Sequence, residues 1–382
     1  MTRLFVAAAF MLAAASAIAQ PPQPVPPPRS PEVAADRRVT FRLRAPNAKE
    51  VFVVREGAPR LAMTKNADGV WSVTTEPLDA DFYGYAFLVD GARVTDAVNG
   101  SLKTNLQNPG SLLHVPGRGL PWEYADVPHG IVHRHHYRSA IAGDERDYYV
   151  YTPPGYDRAT DRRYPILYLL HGMSDGADAW SSEIGRANVI LDNLIASGAA
   201  KPMIVVMPLG YGAPEILDAR WTGAPADPAL GSRNREQFTK TLLTEVMPAV
   251  EHEYRVIGDR SSRAIAGLSM GGAESLATGL NALDTFAWVG SFSEGGLPAE
   301  FDRAFPSLSS KANAKLRLLW IACGTEDRLI DANRQFREWL TSKGVKFTPI
   351  ETPGAHTWMV WRRNLAAFAP LLFEAAPTTS SK

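Results

Sequence analysis

The run Ile265-Ala266-Gly267-Leu268-Ser269-Met270-Gly271-Gly272 constrains this chain more than any other stretch. Residues 263–266 read as a short apolar strand end, and residues 272–280 continue in small, helix-favouring residues. A serine held between a strand and a helix takes a strained backbone position that tolerates only small residues two places before and after it. Gly267 and Gly271 hold those two places. The five-residue pattern alone is weak evidence; the strand before it and the helix after it make it a nucleophile elbow. A serine hydroxyl is a poor nucleophile at neutral pH, so the elbow needs a base and a group that orients the base.

The surrounding pattern supplies the frame. Strand-like runs at residues 147–151, 166–170, 203–207, 263–266, 286–292 and 316–322 alternate with helix-like stretches at 188–196, 236–252, 334–342 and 364–374. Such alternation predicts a mostly parallel sheet covered by helices on both faces, with reacting groups beyond the carboxyl ends of the strands. We read residues 129–376 as an α/β-hydrolase unit of this kind, in which serine, carboxylate and histidine follow one another along the chain. After Ser269 only one histidine remains, His356, on a loop between the strand candidate 346–350 and the last helix. A neutral imidazole there can take the serine proton and return it to a leaving alcohol. Between the two, the apolar run ending at Cys323 empties into Gly324-Thr325-Glu326-Asp327-Arg328. Asp327 is the expected partner of the imidazole. Glu326 is its neighbour on the same loop, and pairing with Arg328 or helix capping is the ordinary alternative role for Asp327. The developing oxyanion needs two main-chain donors. Met270, directly after the serine, supplies one, and Met173, after the buried run ending in His171-Gly172, supplies the other. His171 precedes the serine and is read as shaping that turn.

The chain has 382 residues, with 40 basic against 40 acidic side chains, so nothing draws it toward nucleic acid or an anionic membrane. Met1-Thr2-Arg3, the apolar run that follows and Ala17-Ile18-Ala19-Gln20 have the three parts of a secretory signal peptide, with a predicted cut after Ala19 and a secreted or periplasmic product. Residues 20–35 form a proline-rich linker. Residues 36–116 carry short alternating segments at 38–43, 50–54, 70–75 and 83–89 between turn signals, the pattern of a small immunoglobulin-like β-sandwich. The single cysteine, Cys323, lies in an apolar run and is assigned no chemistry. His133, His135 and His136, with His129 nearby, fall on an extended segment whose side chains alternate between faces, so neither a metal nor any other cofactor is expected. Trp180, Trp221 and Trp358 are candidate substrate contacts near the serine, together with Trp361; Asp175, Arg235 and Glu294 are polar candidates.

Two resemblances emerge from these motifs. Phe41-Arg42-Leu43-Arg44-Ala45-Pro46-Asn47-Ala48, Gly69-Val70-Trp71 and Tyr83-Gly84-Tyr85 before Asp90-Gly91 resemble the early-set sandwich related to family 48 carbohydrate-binding modules. Trp71, Tyr83 and Tyr85 could there stack on sugar or fill the core. Tyr151-Thr152-Pro153-Pro154-Gly155-Tyr156, Tyr164-Pro165 through His171-Gly172, Gly185-Arg186-Ala187-Asn188, the elbow, Gly324-Thr325-Glu326-Asp327 and Gly354-Ala355-His356 are similar to carbohydrate esterase family 1, a group with feruloyl, acetylxylan and enterochelin esterases. The resemblance implies the same Ser269, Asp327 and His356 and the same donors at Met173 and Met270. The expected function is a secreted serine esterase removing feruloyl or acetyl groups from plant polysaccharide or oligosaccharide, its partner being an acylated carbohydrate or aromatic ester. The alternatives are an enterochelin-type siderophore esterase, a transferase of the same acyl group, and a carbohydrate-binding protein without catalysis.

Overall fold

The computed structural model describes residues 26–222 and 229–374, without the side chains of residues 219–222. The expected signal segment 1–19 and the first part of the linker lie outside the described residues. Ten strands build the N-terminal sandwich: β1 (Glu32–Val33), β2 (Val39–Arg44), β3 (Val51–Arg55), β4 (Leu61–Ala62), β5 (Thr64–Lys65), β6 (Val70–Thr74), β7 (Asp81–Val89), β8 (Ala92–Val94), β9 (Leu102–Lys103) and β10 (Gly110–Val115). One sheet has the order β1-β2-β6-β5; the other runs β4-β3-β7-β10-β9, with β8 beside β7. Inward residues Val39, Phe41, Val53, Tyr85, Phe87 and Leu113 close the core between them. Trp71, Tyr83 and Tyr85 are buried in that core, and the Trp71 indole donates to the Ala45 carbonyl at 2.9 Å. Their aromatic faces pack the sandwich and do not form a sugar-stacking surface. Strand β10, which pairs with β7 over Ser111–Val115, has no alternation strong enough to announce it.

The C-terminal part holds an eight-stranded sheet: β11 (Ile131–Arg138), β12 (Glu145–Thr152), β13 (Ile166–Leu170), β14 (Ile204–Pro208), β15 (Arg263–Leu268), β16 (Trp288–Phe292), β17 (Leu318–Gly324) and β18 (Thr348–Thr352), ordered β11-β12-β14-β13-β15-β16-β17-β18. Strands β11, β12 and β14 pair antiparallel, and from β14 to β18 every pairing is parallel. Continuous apolar runs such as Ile166–Leu170, buried at every residue, are what a parallel strand covered on both faces requires. The polar, half-exposed β11 is the edge. Its histidines are used locally: His135 stacks on Tyr148 at 4.7 Å, His136 pairs with Asp147 at 2.5 Å and His133 meets Thr152 at 3.2 Å.

Helices α1 (Ala187–Ala196), α2 (Glu215–Thr222), α3 (Leu230–Thr241), α4 (Met247–Glu253), α5 (Met270–Asn281), α6 (Phe301–Ala304), α7 (Ile330–Ser342) and α8 (Trp358–Phe368) flank the sheet. The single helix expected at 236–252 is instead α3, a π turn over Leu242–Val246, and α4. Pro248 lacks the N–H that would continue the ladder, and the wider turn ahead of it absorbs the missing bond. The last helix runs from Trp358 to Phe368 rather than over 364–374, and Pro370 lies just beyond its end, where the chain leaves the helix. No helix among the described residues is long and apolar enough to cross a membrane.

The two parts share their interior. Phe82 and Leu112 of the sandwich belong to the apolar cluster on one face of the large sheet, and Met359 of α8 packs onto the sandwich core. At the seam, the fully buried Arg362 donates to Asp81 at 2.5 Å, to the Phe82 carbonyl at 2.8 Å and to the Ile184 carbonyl.

Candidate active site

Strand β15 ends at Leu268 and α5 begins at Met270, leaving Ser269 alone in the turn with φ 51° and ψ −116°. That positive φ is strained for a residue with a side chain, and it is maintained by hydrogen bonds on both sides. The Ser269 N–H donates to Phe292 O at 2.9 Å, while Ser269 O accepts from Gly295 N at 3.0 Å and Ala273 N at 3.1 Å. The two glycines of the motif are required by close approach: a Cβ on Gly271 would stand 2.5 Å from the His171 carbonyl oxygen, and one on Gly267 would strike the Gly271 carbonyl.

Three side chains from three loops meet here. The Ser269 Oγ lies 3.0 Å from His356 Nε2, and His356 Nδ1 lies 2.7 Å from Asp327 Oδ2. Asp327 follows β17 and His356 follows β18, so adjacent parallel strands deliver both to one edge. Their loops are tied together: Thr325 N donates to Thr352 O at 2.9 Å and Glu326 N to Gly354 O at 3.0 Å. The second Asp327 oxygen accepts from Leu329 N at 2.9 Å. Burial pushes the Asp327 carboxyl up, but the hydrogen bond and charge of His356 outweigh it, so the carboxyl is held below its ordinary range. Glu326 is exposed. An imidazole so placed can accept the Ser269 proton while the buried carboxylate steadies the resulting charge.

Ser269 and His356 open into a cavity of about 580 Å³, which Met173, Met270, Asp175, Asn234, Arg235 and Trp361 help to line. Among the described residues, neither the Met173 nor the Met270 main-chain N–H has an acceptor. His171 lies beneath, fully buried: its Nδ1 donates to Gly172 O at 2.8 Å and its Nε2 accepts from Gly210 N at 2.9 Å, which fixes a neutral tautomer. Burial pushes its pKa down to about 4.

The tryptophans divide. Trp180 and Trp358 are 0% and 1% exposed and do not reach the cavity, which corrects the expectation that they touch substrate. Both are closed into the apolar cluster on one face of the large sheet. Trp180 donates to Leu170 O at 2.8 Å, Trp358 meets it edge-on at 5.1 Å, and Trp361 meets Trp358 at 5.4 Å. Trp361 ends this stack in the cavity, 4.9 Å from the His356 ring. Trp221 is in α2, and its side chain lies outside the described residues.

Burial acts on three carboxyls in this part of the molecule. Burial pushes Asp175 and Glu294 each up to about 7, and Glu274, entirely enclosed, well above the ordinary carboxylate range. Glu274 accepts from Asn234 at 2.9 Å. Arg235 faces the cavity and donates to Ser232 Oγ at 3.1 Å and to Gly296 O. Asn105, Gln107 and Asn108 also line the cavity, and they belong to the sandwich. Nothing in their local sequence marks them, since polar residues after a short strand are what any turn contains.

The Esterase family model matches residues 139–372, more than half of the 382 residues. This chain belongs to the Esterase family. The chain is similar to the endo-1,4-beta-xylanase/feruloyl esterase of Xylanibacter ruminicola, 31% identical over 90% of this chain; it spans 46% of that relative's length. Among solved structures, the CE1 ferulic acid esterase of the anaerobic fungus Anaeromyces mucronatus is 26% identical with a TM-score of 0.55, covering 66% of this chain and 93% of that one. The enterobactin esterase of Shigella flexneri has a TM-score of 0.66 over 87% of this chain and 92% of that one, at 19% identity, a likeness of fold.

Proposed function

We propose that this Esterase-family protein is a serine carboxylic-ester hydrolase that removes feruloyl or acetyl groups from plant polysaccharide or its oligosaccharides. The observation that carries the reading is the hydrogen-bonded series Ser269, His356, Asp327 at the mouth of a cavity of about 580 Å³. Ser269 Oγ attacks the ester carbonyl carbon as His356 Nε2 takes its proton. The carbonyl oxygen becomes an oxyanion between the Met173 and Met270 amides. Collapse expels the alcohol, which receives the proton from His356 and leaves an acyl-enzyme on Ser269. Water, deprotonated by the same imidazole, attacks that ester; collapse releases the acid and returns the proton to Ser269.

The wall of the cavity supports an aromatic acyl group: Trp361 and Leu329 offer apolar surface, while Arg235 brings a guanidinium to the same cavity. The Xylanibacter relative is a xylanase joined to a feruloyl esterase, and the Anaeromyces enzyme has been solved with ferulic acid. Export through residues 1–19 is consistent with a polymeric substrate outside the cytoplasm. A siderophore trilactone is the second reading, favoured by the long fold likeness to the enterobactin esterase, sandwich included.

Hydrolysis of methyl ferulate and p-nitrophenyl acetate by the chain from Gln20 onward, beside its Ser269→Ala variant, tests the proposal. Turnover of both esters is expected, with kcat lower by at least about 10⁴-fold in Ser269→Ala. Acetate turnover without ferulate would move the substrate toward acetylated glycans, and equal activity in the variant would remove Ser269 from the mechanism.

A further inference from the structure

The loop after β13 that carries Met173 contains a strained residue, Ser174, with φ +67°. A left-handed backbone at a residue with a Cβ persists only where its surroundings hold it. Two holders come from the C-terminal part: His171 Nδ1 donates to Gly172 O at 2.8 Å, and Tyr211 OH donates to Asp175 O at 2.8 Å. The other two come from the sandwich, across 70 residues of sequence. Leu106 N donates to Ser174 O at 2.7 Å, and Asn105 Nδ2 donates to Asp175 Oδ1 at 2.8 Å. The Asn105 amide has its orientation set, because its Oδ1 accepts from Gln107 N at 3.1 Å and Asn108 N at 2.8 Å. That leaves only Nδ2 to face the carboxylate. The base of the loop is pinned in turn by the Lys103 to Glu56 ion pair and by the pairing of β9 with β10.

We infer that Asn105 is a positioning residue for the ester-cleaving centre: through Asp175 it holds the 172–175 turn so that the Met173 amide points at the developing oxyanion. The sandwich is then part of the catalytic apparatus rather than an appended module. This rests on the proposed roles of Ser269 and Met173. An amide that must meet an oxyanion within a few tenths of an ångström gains from every bond that removes freedom from its turn. Both sandwich bonds close on the two residues immediately after Met173, where loss of either lets that turn relax out of its left-handed conformation.

The test is steady-state hydrolysis of p-nitrophenyl acetate, too small an ester to reach far along the cavity wall, by the parent, Asn105→Ala and the exchanged pair Asn105→Asp with Asp175→Asn. Asn105→Ala is expected to lower kcat by about tenfold or more with KM within about twofold. The exchanged pair keeps one donor facing one acceptor and is expected to return kcat to within about threefold of the parent. A rise in KM alone, no change at all, or an exchanged pair as slow as Asn105→Ala overturns the inference. Where Asn105→Ala does not fold, Asp175→Ala cuts the same bond from the other side and is read by the same kcat criterion. A parent no faster than Ser269→Ala would instead strike the esterase reading itself.

Discussion

Two buried carboxylates meet basic partners in or just ahead of the last helix, and they do opposite work. Just ahead of the helix, His356 is partly open to the cavity, while its partner Asp327, 2.7 Å away, is buried. Within the helix, Arg362 and its partner Asp81 are both wholly enclosed, and the guanidinium also donates to the Phe82 and Ile184 carbonyls. An imidazole can gain and lose a proton near neutral pH, whereas a guanidinium cannot. The first pair can therefore move a proton, and the second can only hold the sandwich against the sheet. What separates chemistry from architecture here is whether one partner is an imidazole that opens into the cavity.

The sharpest break between the pairs is Asp327→Asn. It leaves the shape of the loop but supplies the wrong hydrogen-bonding partner to His356, and kcat is expected to fall by about 10⁴-fold while the unfolding midpoint stays close to the parent. Comparable loss of stability with activity would make Asp327 another seam residue. Asp81→Ala should do the reverse. It strands Arg362 without its counter-ion and is expected to cost about 3–5 kcal/mol in urea unfolding, with the Asp81→Leu/Arg362→Met double variant recovering much of that.

A smaller effect concerns a buried carboxyl, Glu294, that among the described residues has no ion pair. With Glu294 raised to about 7 by burial, the folded protein keeps a proton there that the unfolded chain has lost above its ordinary pKa. Stability from this group is full below about pH 4 and falls as pH rises toward 7. Glu294→Gln should flatten that slope by about 1–3 kcal/mol between pH 5 and pH 8, read from unfolding midpoints. An unchanged slope would mean that Glu294 finds a partner when ionised. The smallest expected effect is at Glu326, exposed beside Asp327 on the same loop. Glu326→Gln should alter kcat by less than about twofold, or about 0.4 kcal/mol; a loss approaching that of Asp327→Asn would exchange the two assignments.

That Ser269, His356 and Asp327 meet at one sheet edge, as the candidate site requires, was legible in the sequence. The elbow, the only histidine after it and the acidic loop after an apolar strand named Ser269, His356 and Asp327, because chain order and strand ends in a parallel sheet dictate where such groups can gather. The tryptophans were not legible: Trp180, Trp358 and Trp361 have the same local character, and only packing decides which one ends in the cavity. The helical path over 236–252 was legible, but not the π turn inside it, which precedes Pro248 and which the periodicity did not register.

The sequence by itself determined the fold class and the order of the reacting groups, since both follow from short-range pattern: apolar runs, glycines at close approaches and residues that end strands. Only the tertiary structure decided that the sandwich reaches into the site with Asn105, Gln107 and Asn108, and that Asp81 and Arg362 lock it there. Those contacts join residues from 70 to 281 positions apart, and polar side chains of that kind carry no periodicity to reveal a partner so distant. Their meaning comes from burial, which only the packed molecule creates.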